Sequence, residues 1–259
     1  MEIIILPTAA EVGVAAAEAI ARVVARNREA VIGLATGSSP LAIYAELAAR
    51  VASGELDFSH ASGFALDEYV GIPLEHPQSY YSVIRTEVVE PLRMDPRRVR
   101  VPDGRAADVE AACAAYEQAI RDAGGIDIQI LGIGANGHVG FNEPTSSFAS
   151  RTRIKTLAPK TRADNARFFD TPDEVPTHCL TQGLGTIMDA RRLVLVAQGE
   201  NKADAIAAAV EGPLSSMCPG SVLQLHEHAT VIIDEAAASK LTLADYYRYT
   251  YANKPAWQL

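Results

Sequence analysis

The run Gly132-Ile133-Gly134-Ala135-Asn136-Gly137-His138-Val139-Gly140-Phe141-Asn142-Glu143-Pro144 mixes residues that move protons with residues that let a chain bend. An imidazole titrates near neutrality, so His138 can take a proton and give it back. A carboxylate such as Glu143 can orient that ring and stabilise its cation. A lone histidine in a polar loop usually caps a helix. Here His, Glu and two Asn are packed into a Gly-rich turn after an apolar strand, which favours proton transfer. A second run, Phe64-Ala65-Leu66-Asp67-Glu68-Tyr69-Val70-Gly71, is read as a loop that brings two adjacent carboxylates out of an apolar strand. Side chains on extended backbone alternate, so one acid can face a crevice while the other makes a structural bond.

A third segment, Leu34-Ala35-Thr36-Gly37-Ser38-Ser39-Pro40, joins an apolar strand to a helix. Gly37 permits a tight turn, Ser39 suits the N-cap and Pro40 the first helical position. Free N–H groups at a helix start, with hydroxyls beside them, can cradle a phosphate. An ordinary capped turn has the same composition. The loop lacks the Gly-Lys-Ser/Thr of a Walker motif. The Gly132/Gly134 pair is no dinucleotide fingerprint either, because the next glycine is Gly137 and His138 puts a bulky polar group where a helix should pack.

Positioning these loops requires strands that end together. Strand-like runs fall at Ile3–Leu6, Val31–Ala35, Gly63–Leu66, Ile126–Ile133, Leu193–Ala197 and Thr230–Asp234. Helix-like stretches lie between them, at Ala9–Ala25, Pro40–Val51, Ser79–Val89, Ala106–Asp122 and Lys202–Val210. This rhythm predicts an α/β fold: one domain over residues 1–259, with a central, mostly parallel sheet flanked by helices in a Rossmann-like arrangement. Loops after the carboxyl ends of such strands line the binding crevice. Ser146–Thr177 is polar and weakly periodic, as expected of a flap or lid.

Of the 259 residues 48% are hydrophobic, enough for a large core, and the formal net charge is −9. An acidic chain suits no nucleic-acid backbone, although a local Arg/Lys cluster can still hold a small anion. The three cysteines, Cys113, Cys179 and Cys218, form no CxxC pair and fit a reducing, cytoplasmic setting. Neighbours in sequence rarely point at each other, so His178 and Cys179 are not read as a nucleophile dyad. The N-terminus lacks a signal-peptide pattern, and no apolar stretch is long enough to cross a membrane. Only His226 and His228 have metal-ligand spacing, with no supporting Cys or acid cluster, so no metal is assigned.

Taken in order, six segments resemble the glucosamine-6-phosphate deaminase family: Leu34–Pro40, Leu66–Gly71, Glu75-His76-Pro77-Gln78-Ser79-Tyr80-Tyr81, Gly137–Pro144, Ser150-Arg151-Thr152-Arg153-Ile154-Lys155-Thr156 and Ala209-Val210-Glu211-Gly212. The resemblance implies a sugar-phosphate isomerase type of α/β domain and conversion of glucosamine 6-phosphate to fructose 6-phosphate and ammonia, without metal or organic cofactor. By the same resemblance Asp67 is the carbon acid–base group. His138 opens the sugar ring, with Asn136 and Glu143 holding and tuning it. Thr36, Gly37, Ser38, Ser39, Arg167 and Lys202 bind the substrate, and residues 157–180 form a lid. Some relatives carry Asp at position 136; an amide can orient a histidine but adds no negative charge. Two rivals share such a domain. A 6-phosphogluconolactonase usually continues its His turn through a Ser-Leu-Phe-Pro type segment, whereas this chain runs into Phe141-Asn142-Glu143-Pro144. A non-catalytic sugar-phosphate sensor normally carries a helix-turn-helix.

The resemblance further implies a homo-oligomer: some relatives are hexamers activated by N-acetylglucosamine 6-phosphate at a subunit interface, and others are smaller assemblies without activation. Met1, Ser146, Arg153 and Lys155 occupy the matching positions. Arg153 and Lys155, two apart on extended backbone, would point the same way and could grip one anion. A solvated basic strand would show the same pattern.

Overall fold

Alternation of buried strands with amphipathic helices builds a seven-stranded sheet. The computed structural model describes residues 1–255. The elements are β1 (Glu2–Leu6), α1 (Ala9–Arg26), β2 (Val31–Leu34), α2 (Leu41–Ala52), β3 (Ser62–Ala65), β4 (Asp67–Tyr69), α3 (Tyr80–Ile84), β5 (Val99–Arg100) and α4 (Val109–Asp122). They continue with β6 (Ile128–Leu131), β7 (Arg153–Thr156), α5 (Pro159–Asn165), β8 (His178–Thr181), α6 (Leu184–Met188), β9 (Leu193–Ala197), α7 (Ala203–Val210), β10 (Ala229–Asp234) and α8 (Ala244–Ala252).

The main sheet has the order β1-β10-β9-β6-β2-β3-β5, and every adjacent pair is parallel. Strands covered on both faces need apolar side chains at successive positions. Val31–Leu34, Ile128–Leu131 and Leu193–Ala197 are buried throughout. Helix α1 shows the complementary pattern. Val12, Ala16, Ile20 and Val24, one turn apart, face inward, and Thr8 caps the helix by accepting from the Glu11 backbone N–H at 3.2 Å.

Connections leave β2 toward β3 and β5 on one side, while β6, β9, β10 and β1 lie on the other. The order therefore reverses between β2 and β6, where an open α/β sheet forms its ligand crevice. The loop after β2 and the Gly-rich loop after β6 flank that point.

A second, three-stranded antiparallel sheet, β4-β8-β7, sits beyond the end of β3. It was not expected: Asp67-Glu68-Tyr69, read as part of a loop, is a strand paired with β8, with Asp67 opposite Thr181. It has its own apolar cluster of Tyr69, Ile72, Phe141, Leu157 and Cys179, with Tyr80 and Phe169 packed against it. The polar stretch Ser146–Thr177 contains β7, α5 and two 3-10 turns. Among the described residues no helix is long and apolar enough to cross a membrane.

Candidate active site

A cleft of about 420 Å³ opens at the crevice between β2 and β6. Its wall includes Thr36–Ser39 after β2, Asp67 on β4, Gly132–Ala135 and His138 after β6, Arg167 past α5, and Lys202 before α7. The expected catalytic and substrate-binding residues thus meet there, except that Asn136 and Glu143 do not line the cleft and stand behind His138.

Asp67 and Glu68 point to opposite sides, as strand geometry requires. Glu68 is buried and accepts from the backbone N–H groups of Tyr69, Tyr80 and Tyr81 and from the Ser79 hydroxyl, all at 2.8–2.9 Å, so it caps α3. Asp67 is 6% exposed and receives no hydrogen bond on its carboxyl oxygens among the described residues. Burial, reinforced by the neighbouring Glu68 charge, pushes its carboxyl up to about 8. Gly140 leaves room beside it: a Cβ there would stand 3.5 Å from Asp67 Oδ2.

His138 sits on the Gly-rich turn because Gly134 has no side chain; a Cβ at 134 would lie 2.1 Å from the imidazole Cε1. Its Nδ1 faces Glu143 Oε2 at 3.6 Å, too far for a hydrogen bond, and is otherwise buried without a partner among the described residues. Glu143 is gripped more closely elsewhere. Oε2 accepts from the Asn136 amide at 2.6 Å; Oε1 accepts from the Thr161 hydroxyl at 2.5 Å and the Ala158 N–H at 3.2 Å. Burial pushes this carboxyl up, but His138, Thr161 and Asn136 outweigh it and hold it down at about 2. Asn136 thus meets Glu143 and, through Oδ1, the His138 backbone N–H at 3.2 Å, rather than the imidazole.

At the far end, Gly37 takes a left-handed φ of +86°, which aims the turn into the cleft. The cap differs from expectation: Pro40 itself occupies the N-cap of α2, and Ser39 makes no capping bond. Lys202 donates to the Ile133 carbonyl at 2.7 Å. Burial and the adjacent Arg167 both pull its ammonium below the usual range. Neither cation forms a salt bridge among the described residues. Arg167 and Lys202 thus share the cleft wall, where the nearby Asp164 carboxylate partly offsets the pull on the Lys202 ammonium.

Sequence reasoning missed Thr161 and the Ala158 N–H, which reach Glu143 from a segment distant in sequence. It also missed the aromatic floor, where Tyr69 lies 4.9 Å from Tyr80 and 5.8 Å from Phe141 and Phe169 between ring centroids. Asn165 ties α5 to that floor by donating to the Tyr69 hydroxyl at 2.9 Å. The residues matched to an activator site are less gathered. Arg153 and Lys155 share the half-buried face of β7, and Arg153 donates to Asn142 Oδ1 at 2.9 Å. Ser146 Oγ is buried without a partner among the described residues. Met1 precedes β1, at the edge of the main sheet, and no hydrogen bond or ion pair among the described residues joins it to the other three.

The His226 ring holds backbone, contacting the Ala190 carbonyl at 2.8 Å and accepting from the His228 N–H, while the His228 ring lies 3.7 Å from Glu227 Oε1. No cluster of three or more His, Cys, Asp or Glu converges among the described residues.

The family described as glucosamine-6-phosphate isomerases/6-phosphogluconolactonase matches residues 7–232. The chain belongs to this family. A curated glucosamine-6-phosphate deaminase from Streptomyces coelicolor is 60% identical over 259 residues, covering all of this chain and 99% of the relative. One from Mycolicibacterium smegmatis is 59% identical with the same coverage. Among solved structures, a monomeric glucosamine-6-phosphate deaminase aligns with a TM-score of 0.91 and 40% identity, over 93% of this chain and all of that one. A 6-phosphogluconolactonase from Trypanosoma cruzi aligns at 0.75 with 20% identity, over 93% and 97%, a likeness of fold alone.

Proposed function

We propose that this family member is a glucosamine-6-phosphate deaminase and that Asp67 moves the proton between the sugar's carbons. The observation that carries the reading is a buried carboxyl free of hydrogen-bond donors, in one cleft with an imidazole–carboxylate pair and an unpaired Lys/Arg pair. Relatives about 60% identical end to end, named for this reaction, support it.

In this reading the phosphate binds at the Thr36–Ser39 turn between Lys202 and Arg167. Those remote contacts hold the sugar carbons over Asp67 and His138, where binding energy serves orientation. His138 protonates the ring oxygen and accepts the C1 hydroxyl proton, which opens the hemiacetal. Asp67, as carboxylate, takes the proton from C2 and returns it to C1, passing through an enolamine. The resulting C2 imine adds water and expels ammonia, leaving fructose 6-phosphate. A general base works best with a pKa near the working pH, and the environment of Asp67 moves it there.

The lactonase alternative fits the same fold but not this loop's use of its residues. Phe141 builds the aromatic floor, Asn142 donates to the Val139 and Gln182 carbonyls, and Glu143 backs His138. The deciding experiment compares ammonia release from glucosamine 6-phosphate with hydrolysis of 6-phosphogluconolactone by the same enzyme. Substantial lactone hydrolysis without ammonia release would reverse the assignment; including galactosamine 6-phosphate resolves epimer preference.

The reading extends to a cytoplasmic enzyme regulated by N-acetylglucosamine 6-phosphate. Ser146, Arg153 and Lys155 would hold its phosphate, with the Met1 amine added across the interface of a homo-oligomer. Support comes from the shared face of Arg153 and Lys155 and the unpartnered Ser146 hydroxyl. An activator must bind one conformation better than another, so sigmoidal kinetics made hyperbolic by this compound are the expected signature.

A further inference from the structure

The segment that carries Arg167 also reaches the far side of His138. Along one short stretch, the Ala158 N–H and the Thr161 hydroxyl bond Glu143 Oε1, Asn165 bonds the Tyr69 hydroxyl, and Arg167 stands beside Lys202 at the mouth of the cleft. Thr161 is 4% exposed although most residues around it are open to solvent. Its hydroxyl makes a short charge-assisted bond to a carboxylate, the strong kind. Oε1 is therefore fixed by this segment, while Oε2 is left to Asn136 and to the otherwise unpartnered Nδ1 of His138. A carboxylate held by one oxygen is held in orientation at both.

We propose that Thr161 is a positioning residue: seated by the segment whose Arg167 meets the phosphate, its hydroxyl turns Glu143 so that Oε2 faces His138 Nδ1. The proton shuttle is then fully assembled only when that segment is docked. A phosphorylated sugar, held through Arg167, favours the docked arrangement, whereas the same sugar without phosphate lacks that hold. This ties substrate class to turnover as well as to affinity. The inference rests on the reading of His138 and Glu143 as the ring-opening pair.

Steady-state kinetics of Thr161→Val, Thr161→Ser, Glu143→Gln and the Thr161→Val/Glu143→Gln double variant test it, each variant being checked by thermal unfolding. Valine keeps the shape and removes the donor, so kcat falls about tenfold while KM for glucosamine 6-phosphate moves less. Serine restores the hydroxyl and keeps kcat within about twofold of wild type. In the Glu143→Gln background, Thr161→Val costs nothing further, because the two act as one unit. Packing alone would instead make the two losses multiply. That result, or a Thr161→Val enzyme with wild-type kcat, overturns the proposal while leaving the role of Glu143 intact. A Glu143→Gln enzyme with wild-type kcat overturns the ring-opening reading itself, and the proposal with it. If valine lowers the unfolding temperature so far that its kinetics cannot be read, the serine variant decides: a tenfold loss there refutes the requirement for a hydroxyl alone.

Discussion

Asp67→Asn should abolish turnover and make the protein more stable, and the gain should depend on pH. In the fold the carboxyl is pushed from 3.8 to about 8, mainly by burial. Below about pH 4 the group is neutral folded and unfolded, so it costs nothing. Between about 4 and 8 the unfolded chain sheds this proton and the folded chain keeps it, so stability drains away as pH rises; above about 8 the penalty is complete. About four pH units at about 1.4 kcal/mol each set a ceiling near 6 kcal/mol. An amide of the same shape carries no such charge, so the variant should gain nothing near pH 4 and increasingly more toward pH 8. Chemical denaturation of both proteins at pH 5, 6, 7 and 8 reads the difference directly, with ammonia release followed on the same samples. The same pKa makes kcat/KM of the wild type rise with pH through about 8, since only the carboxylate can take the C2 proton. Equal stabilities at pH 8, or a difference that does not grow with pH, would refute the claim that burial perturbs Asp67.

Lys202→Ala should raise KM for glucosamine 6-phosphate roughly tenfold or more, as expected for loss of a charge-assisted phosphate contact, and an unchanged KM would move the phosphate elsewhere. Asn136→Asp would set two carboxylates where an amide now bonds Glu143 at 2.6 Å. The added negative charge favours the His138 cation, so the variant should stay active with its kcat/KM profile moved to higher pH; an unmoved profile separates position 136 from the imidazole. Glu68→Gln removes the charge beside Asp67 and weakens the α3 cap, so the acid limb of kcat/KM should shift to lower pH while the unfolding temperature falls. Arg153→Ala should erase any response to N-acetylglucosamine 6-phosphate, and hyperbolic kinetics insensitive to that compound in the wild type would remove the regulatory reading.

Six strands of the main sheet were legible because each is a run of apolar residues between helical stretches. Strand β5, two residues long, carries no such signal. Nor did the second sheet: β4, β7 and β8 are three or four residues each, and β4 pairs with β8 across more than a hundred residues. Its absence from the sequence reading is why Asp67 was placed in a loop, although the opposite facing of Asp67 and Glu68 follows from extended backbone in either case. The glycines that make room for His138 and Asp67 were visible as a Gly-rich run; which side chain each accommodates was not. The resemblance gave Asn136 a part in holding His138, but not that its amide would bond Glu143 instead of the imidazole. Thr161 carries no local signal, since its role arises only when the segment after β7 folds back over Glu143.

The most direct test is a time course of ammonia and fructose 6-phosphate formed from glucosamine 6-phosphate by wild type and Asp67→Asn, with substrate binding to both proteins measured by calorimetry. One ammonia should appear per fructose 6-phosphate with the wild type, and none with Asp67→Asn, which should still bind the substrate. Near-normal turnover by Asp67→Asn, or no ammonia from the wild type, would contradict the assignment of this cleft.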